Sequence, residues 1–176
     1  MSSERTYPTA PAGPFPEPPL SFTDGENREI EIRSLERDTS LEALVRMYTE
    51  FDPADRAQGI PPSGEDAIRD WLELILDIGC DVVAWHRERA IGHATLVPDG
   101  EPAAELAIFV HQEYRRAGIG GNLIRGLLGY GAANGVEKVW LTVERWNHAA
   151  ISLYESVGFE ACDAEHFELE MVLRLR

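Results

Sequence analysis

The stretch from Glu105 to Phe159 restricts what this chain can fold into more than any other part of it. An apolar strand, Glu105 to Val110, runs into the turn Arg115-Arg116-Ala117-Gly118-Ile119-Gly120-Gly121, which opens a helix over Asn122 to Asn134. A second strand ends at Glu144, and a second helix holds Asn147 and Tyr154. The spacing predicts a βαβα unit with its polar groups at the ends of elements, where ligands bind. The near-continuous apolar run of Glu105 to Val110 predicts burial on both faces of its sheet.

Around this unit the chain supplies further strands and helices. Met1 to Asn27 carries Pro8, Pro11, Pro14, Pro16, Pro18 and Pro19. Proline removes amide donors and favours extended chain, so this part predicts a mobile or surface-draped arm, with one domain over 28–176. Ile30 and Ile32 alternate with charged residues as in a half-buried strand. Asp38 or Thr39 can cap a helix carrying Leu41, Leu44, Val45 and Tyr48 on one stripe. Phe51 to Pro62 is broken by Pro53, Gly59, Pro61 and Pro62 and reads as a loop that can wall an acceptor site or merely connect. A helix from Ser63 follows, stopped by Gly79. Strands at Asp81–His86 and Arg89–Val97 flank Arg87-Glu88, short enough for a hairpin although neither is a favoured turn residue. Phe159–Asp163 is extended, and His166–Leu175 alternates as a strand with one wet face. The order β, α, α, β, β, β, α, β, α, β, β predicts an α/β fold: a mixed sheet with helices on both faces.

The glycine-rich turn is an anion site in principle. Gly118 and Gly120 permit close backbone approach, and the first amides and positive dipole end of the following helix favour a pyrophosphate. Arg115 and Arg116 add charge-assisted bonds to phosphate oxygens. A dinucleotide fingerprint competes for the same residues, but its third glycine position is Leu123. Glu137 lies near the right distance for its acid but precedes the next strand, and Glu144 follows that strand too far along. A phosphate-binding Walker loop fails because no Gly-Lys-Ser/Thr follows. A plain structural turn with exposed arginines remains the bland alternative.

At these residues the chain resembles the GCN5-related N-acetyltransferase family. Arg115-x-x-Gly118-x-Gly120 is similar to the family's Q/R-x-x-G-x-G/A signature. Asn147, Ala150, Leu153-Tyr154-Glu155 and Gly158-Phe159 resemble its N-x-x-A-x-x-LYE-x-x-GF segment. The motifs span about 55 residues, and the predicted element order agrees over Ile30 to Arg176. The resemblance implies acetyl-CoA as co-substrate and transfer of its acetyl group to a primary amine in a ternary complex. Phe109, Val110 and His111 would line the acetyl and pantetheine end, with a backbone amide there stabilising the oxyanion. Arg115, Arg116, Ala117, Gly118, Ile119, Gly120 and Gly121 would hold the pyrophosphate, and Asn147, Ala150 and Tyr154 the pantetheine arm.

Two catalytic assignments follow from the resemblance. Tyr154 stands where the family's general acid protonates the departing thiolate. Glu105-Leu106-Ala107 is similar to the pattern that carries a catalytic glutamate in the family's protein-lysine branch. An ordinary Glu is a poor base for an amine, so Glu105 would need a raised pKa or an intervening water. Glu144 and His111 are the substitutes to test, and a sheet-edge carboxylate that merely pairs with an arginine is the plain alternative. The acceptor is a protein lysine, a small amine or a protein N-terminus; a silent acyl-CoA sensor is the reading from another class. No metal is expected, because the five histidines show no paired ligand spacing.

Charge and hydropathy set the remaining bounds. The net charge of −15 and pI near 4.6 would repel nucleic acid, so no such partner is expected. The apolar runs are too short for a membrane span and the N-terminus lacks a signal pattern, which reads as a cytoplasmic chain with no membrane partner. Lys138 is the only lysine, a composition like that of a halophilic protein surface. At molar salt the Debye length falls to about 3 Å, so substrate choice would rest on contacts inside a pocket. A homodimer is compatible with the sequence, which does not specify one.

Overall fold

The computed structural model describes residues 5–55, 60–100, 102–163 and 168–176. Its strands are β1 Leu20–Thr23, β2 Glu29–Ser34, β3 Cys80–His86, β4 Arg89–Pro98, β5 Ala103–Val110, β6 Lys138–Glu144, β7 Glu160–Asp163 and β8 Glu168–Arg174. The helices are α1 Arg37–Thr49, α2 Glu65–Ile78, α3 Ile119–Ala133 and α4 His148–Val157. The sheet runs β1-β2-β3-β4-β5-β6-β8-β7, antiparallel throughout except where β5 and β6 lie parallel, joined through α3. The expected mixed sheet with helices on both faces is therefore present.

Two cores result from the period-two alternation of the strands. On one face Leu123, Ile124, Leu127 and Leu128 of α3 pack against Ile32, Ala84, Ala94 and Leu141, with α4 alongside. On the other, Leu44, Tyr48, Leu72 and Ile75 of α1 and α2 cover Val83, Trp85 and Ala90. β3 and β4 are thus buried from both sides. β5 is not: Glu105 and Ala107 to Val110 are only half-buried, against the expectation of a fully covered strand. The reason is that β6 leaves it. Pairing between the two is confined to Ala103–Lys138, Ala104–Val139 and Glu105–Trp140, after which the strands diverge.

The proline-rich arm takes the draped one of its two expected forms and departs from expectation in one respect. Leu20–Thr23 at its end is a strand, paired with Glu29–Ile32, so the chain has one strand more than the sequence predicts. The described residues before it are draped over the fold, held by specific contacts. Pro8 accepts from Arg174 Nε at 2.6 Å, and Ala12 donates to the Arg174 carbonyl at 2.8 Å. Farther along, Pro16 lies against α3 so closely that a Cβ on Gly129 would overlap its carbonyl. Gly126 faces Leu20 and Ile32, and Gly131 faces Leu96. Three glycines in the helix interior weaken it by roughly 1 kcal/mol each relative to alanine. Here they let the arm and sheet approach, and the helix continues past Tyr130 to Ala133.

Some boundaries shift. α3 begins at Ile119, three residues earlier than predicted, so Gly120 and Gly121 belong to its first turn. α1 starts at Arg37 without a side-chain cap; Asp38 supports it from the first turn instead. The Arg87-Glu88 hairpin forms with Arg87 at φ 57°, a conformation non-glycine residues adopt at some cost. In the loop Phe51–Pro62, residues 56–59 lie outside the described residues, as do 166 and 167 at the predicted start of the last strand.

Candidate active site

The loop between β5 and α3 is built to present backbone. Gly118 takes φ 83°, a left-handed value that a side chain would resist, and it caps α3 without any side chain. The first-turn amides of a helix have no partner within it, so those of Ile119, Gly120 and Gly121 carry the positive end of the dipole. Ala117 and Ile119 bury their side chains and offer only main chain. The loop is braced from the β1–β2 turn, where Gly25 donates to the Ala117 carbonyl at 2.9 Å. Arg116 is exposed beside Gly118. Arg115 is engaged elsewhere: it donates to the Val110 carbonyl at 3.0 Å, pairs with Asp55 at 2.7 Å and lies over the Phe51 ring. Of the two arginines, Arg116 is the one placed to meet an anion without first breaking an ion pair.

From this loop the divergence of β5 and β6 runs back into the sheet. Beyond Glu105 and Trp140 the two strands no longer share hydrogen bonds, so the edge of β5 facing β6 is released. Asn147 caps α4, accepting from the Ala150 amide at 3.2 Å, and this fixes the helix beside the divergence. Leu153 of α4 approaches so near Gly120 that a Cβ there would lie 3.3 Å from it. Tyr154 packs edge-on to Phe159 at 6.0 Å, and burial pushes its phenol up to about 12. Such a phenol stays protonated throughout the neutral range, as a proton donor must.

Glu105 approaches from the other face. It shares a register position with Trp140, and Phe109, four residues on, faces the same side and packs with Tyr48 at 5.5 Å and Trp71 at 5.7 Å. Tyr154 packs against the α3-side core, so the two groups belong to opposite faces of the sheet. Burial pushes the Glu105 carboxyl above its ordinary value, and the negative charges of Asp99 and Glu170 add to this, while Arg5 opposes it. That is the direction a base for an amine needs.

His111 is not placed to act as a free base. It is buried; its Nδ1 accepts from the Glu113 amide at 3.1 Å and its Nε2 lies 3.0 Å from Glu50. Phe109 presents its ring to the aromatic cluster under α1 and α2, leaving its backbone to line the divergence with that of Val110. One network escaped sequence reasoning. Buried Tyr48 bonds His93 Nδ1 at 2.6 Å, and His93 Nε2 bonds Asp81 at 2.7 Å, which fixes the Tyr48 ring against Phe109. Its members are 12 to 45 residues apart, too far for any local pattern to link them. Among the described residues no cluster of three or more His, Cys, Asp or Glu is arranged to hold a metal, and no helix is long and apolar enough to cross a membrane.

Comparison with known proteins meets this geometry. A family model described as acetyltransferase (GNAT) family matches residues 41–159. The [ribosomal protein bS18]-alanine N-acetyltransferase of Escherichia coli is 44% identical over 59 residues, which are 34% of this chain and 40% of that enzyme. The chain spans less than half the length of the curated relatives it matches. Among solved structures, the GNAT domain of S. lividans PAT superposes with a TM-score of 0.72 at 15% identity, covering 89% of this chain and 97% of that one. The yncA protein of Salmonella typhimurium, solved with its cofactor acetyl-CoA, gives 0.67 at 18% identity, covering 84% and 94%. At these identities the structures show a common fold.

Proposed function

The chain belongs to the acetyltransferase (GNAT) family, and from that premise we propose that it transfers the acetyl group of acetyl-CoA to a primary amine. The observation that carries this reading is the divergence of β5 and β6 beyond Glu105 and Trp140, which leads straight to the amides opening α3. A slot lined by released main chain and ending at a glycine-capped helix fits a long chain of amides tipped by a diphosphate. Gly118, Gly120, Gly121 and Arg116 would hold the diphosphate, and the edge of β5 from Ala107 to Val110 would hold the arm. Acetyl-CoA supplies an activated thioester; everything else falls to the chain's own residues.

Glu105 takes the proton of the incoming ammonium, directly or through one water, because an ammonium has no lone pair to attack with. The phenol of Tyr154 holds a proton on the opposite face, ready for the departing sulfur. The main chain of Phe109 to His111 orients the acetyl oxygen.

The acceptor we favour is a protein lysine side chain, supported by Glu105-Leu106-Ala107 and by the acidic balance of the chain. A protein N-terminus is the second reading, favoured by the 44% identity to the bS18-alanine enzyme. Incubation of proteome-derived peptides with labelled acetyl-CoA, followed by mass spectrometry, separates them. Label on lysine Nζ supports the first, label on α-amines supports the second, and tight acetyl-CoA binding without label on any amine overturns the transferase reading in favour of a sensor.

A further inference from the structure

The face of the sheet that carries Glu105 is covered unevenly. α1 and α2 shield β3 and β4, whereas over β6 and β8 the cover is the N-terminal arm. There Arg5 lays its guanidinium on the ring of Trp140, 3.4 Å from the centroid. Its Nε donates to Glu170 at 2.6 Å and its Nη1 lies 3.5 Å from Asp99. A cation therefore sits in a box with an aromatic floor and two carboxylate walls. The box adjoins the apex of the divergence, because Trp140 is the register mate of Glu105. Trp140 is only 9% exposed, and its indole N–H is buried without a hydrogen-bond partner among the described residues.

We propose that Trp140, Glu170 and Asp99 form the acceptor's cation subsite, and that Arg5 occupies it as an internal competitor which the acceptor must displace. The subsite rests on the transferase reading for its link to catalysis, but not for its existence as a binding site. Its chemistry selects a cationic group on a slender apolar stem, borne by the acceptor apart from the amine that reacts: a second ammonium, as in a polyamine or a lysine-rich peptide, or an arginine-like guanidinium. A neutral amine of the same length forfeits the ring face and both carboxylates. The hydrogen bonds of Pro8 and Ala12 to Arg174 pin the arm downstream, so of its described residues only Arg5 to Tyr7 have to swing away.

Among the described residues, the groups outside β5 that act electrostatically on Glu105 are Arg5 from the arm, Asp99 from the turn after β4, and Glu170 from β8. Tyr7 of the arm, which feels Arg5, Asp99, Cys162 and Glu170, has Lys138 Nζ over its ring at 5.2 Å from the centroid. When Arg5 leaves, Glu105 loses the positive charge that, among the described residues, opposes its raised pKa. Displacement by a cationic acceptor restores that charge in the same place. The box thus couples acceptor binding to the protonation of the proposed base.

The test uses the full chain and Arg5→Ala, with Arg5→Lys as a conservative variant and Trp140→Leu in the Arg5→Ala background as a control. Binding of N-propylguanidinium is measured by calorimetry without acetyl-CoA. Arg5→Ala should bind it on the order of tenfold more tightly than the full chain, since removing an internal competitor raises the competent fraction. Trp140→Leu should abolish the gain. Equal binding by the full chain and Arg5→Ala would overturn the subsite whatever the protein catalyses. In steady state, Arg5→Ala should lower KM for the amine, leave KM for acetyl-CoA unchanged, and move the acid limb of the amine kcat/KM profile, where the subsite is empty, to higher pH. Arg5→Lys should stay close to the full chain. A fall in melting temperature with an unchanged amine KM would make Arg5 a structural strap and defeat the proposal. Absence of turnover with every amine would defeat the transferase reading while leaving the calorimetric result to decide the subsite.

Discussion

Glu105 and Tyr154 are asked to do opposite things with a proton, and burial moves both in the useful direction. Desolvation disfavours the charged form of each, so the carboxyl becomes a stronger base and the phenol a weaker acid that stays loaded. For Glu105 the sign can be followed further. Its folded-state pKa is raised, so its favourable contribution to stability is present at low pH and is lost as pH rises through that pKa. Glu105→Gln should therefore keep or slightly raise the melting temperature at neutral pH. The same variant should flatten the acid limb of the pH–rate profile, which in the parent is displaced upward by the burial of Glu105. An unaltered profile would leave the carboxylate without a catalytic role. Tyr154→Phe should lower kcat by roughly 10²-fold, the usual contribution of a positioned general acid, with acetyl-CoA binding nearly intact. Stopped-flow release of the CoA thiol checks both.

At the scale of elements, α3 carries two functions along its length. Its N-terminus presents amides, and Gly118 makes that presentation possible by accepting a left-handed backbone. Arg116→Ala should weaken CoA binding by about tenfold, the worth of one charge-assisted hydrogen bond, without altering the melting curve. Its middle carries the arm. Gly129→Ala would drive a methyl into the Pro16 carbonyl, and overpacking of this kind costs about 1–3 kcal/mol. The expected outcome is a lower denaturant midpoint, read by urea unfolding, and faster proteolysis ahead of β1. An unchanged midpoint would mean that the arm does not bear on the helix. β5 shows how an apolar run can mislead. Its residues read as doubly buried because periodicity reports what a strand carries, whereas exposure here depends on where β6 turns away.

Across the whole molecule, what was legible in the sequence was what local pattern encodes. The βαβα unit, the glycine turn, the Asn147 cap and the Gly79 stop all depend on residues within a turn or two of one another. The rest depends on distant meetings. Nothing in a proline-rich segment announces that Leu20–Thr23 pairs with β2, or that Arg5 meets Glu170 from 165 residues away. The Tyr48–His93–Asp81 network and the engagement of Arg115 with Asp55 were hidden for the same reason. The arm, read as a piece apart, touches both faces of the sheet and so ties the site to the core. All of the chemistry argued above requires that a diphosphate rest on the α3 amides while its arm runs between β5 and β6. A crystal structure of the full chain with coenzyme A is the direct measurement. The account predicts phosphate oxygens within hydrogen-bonding distance of the main chain from Gly118 to Gly121, and the thiol near Glu105 and Tyr154. Coenzyme A bound away from the divergence, or absent at saturating concentration, would contradict it.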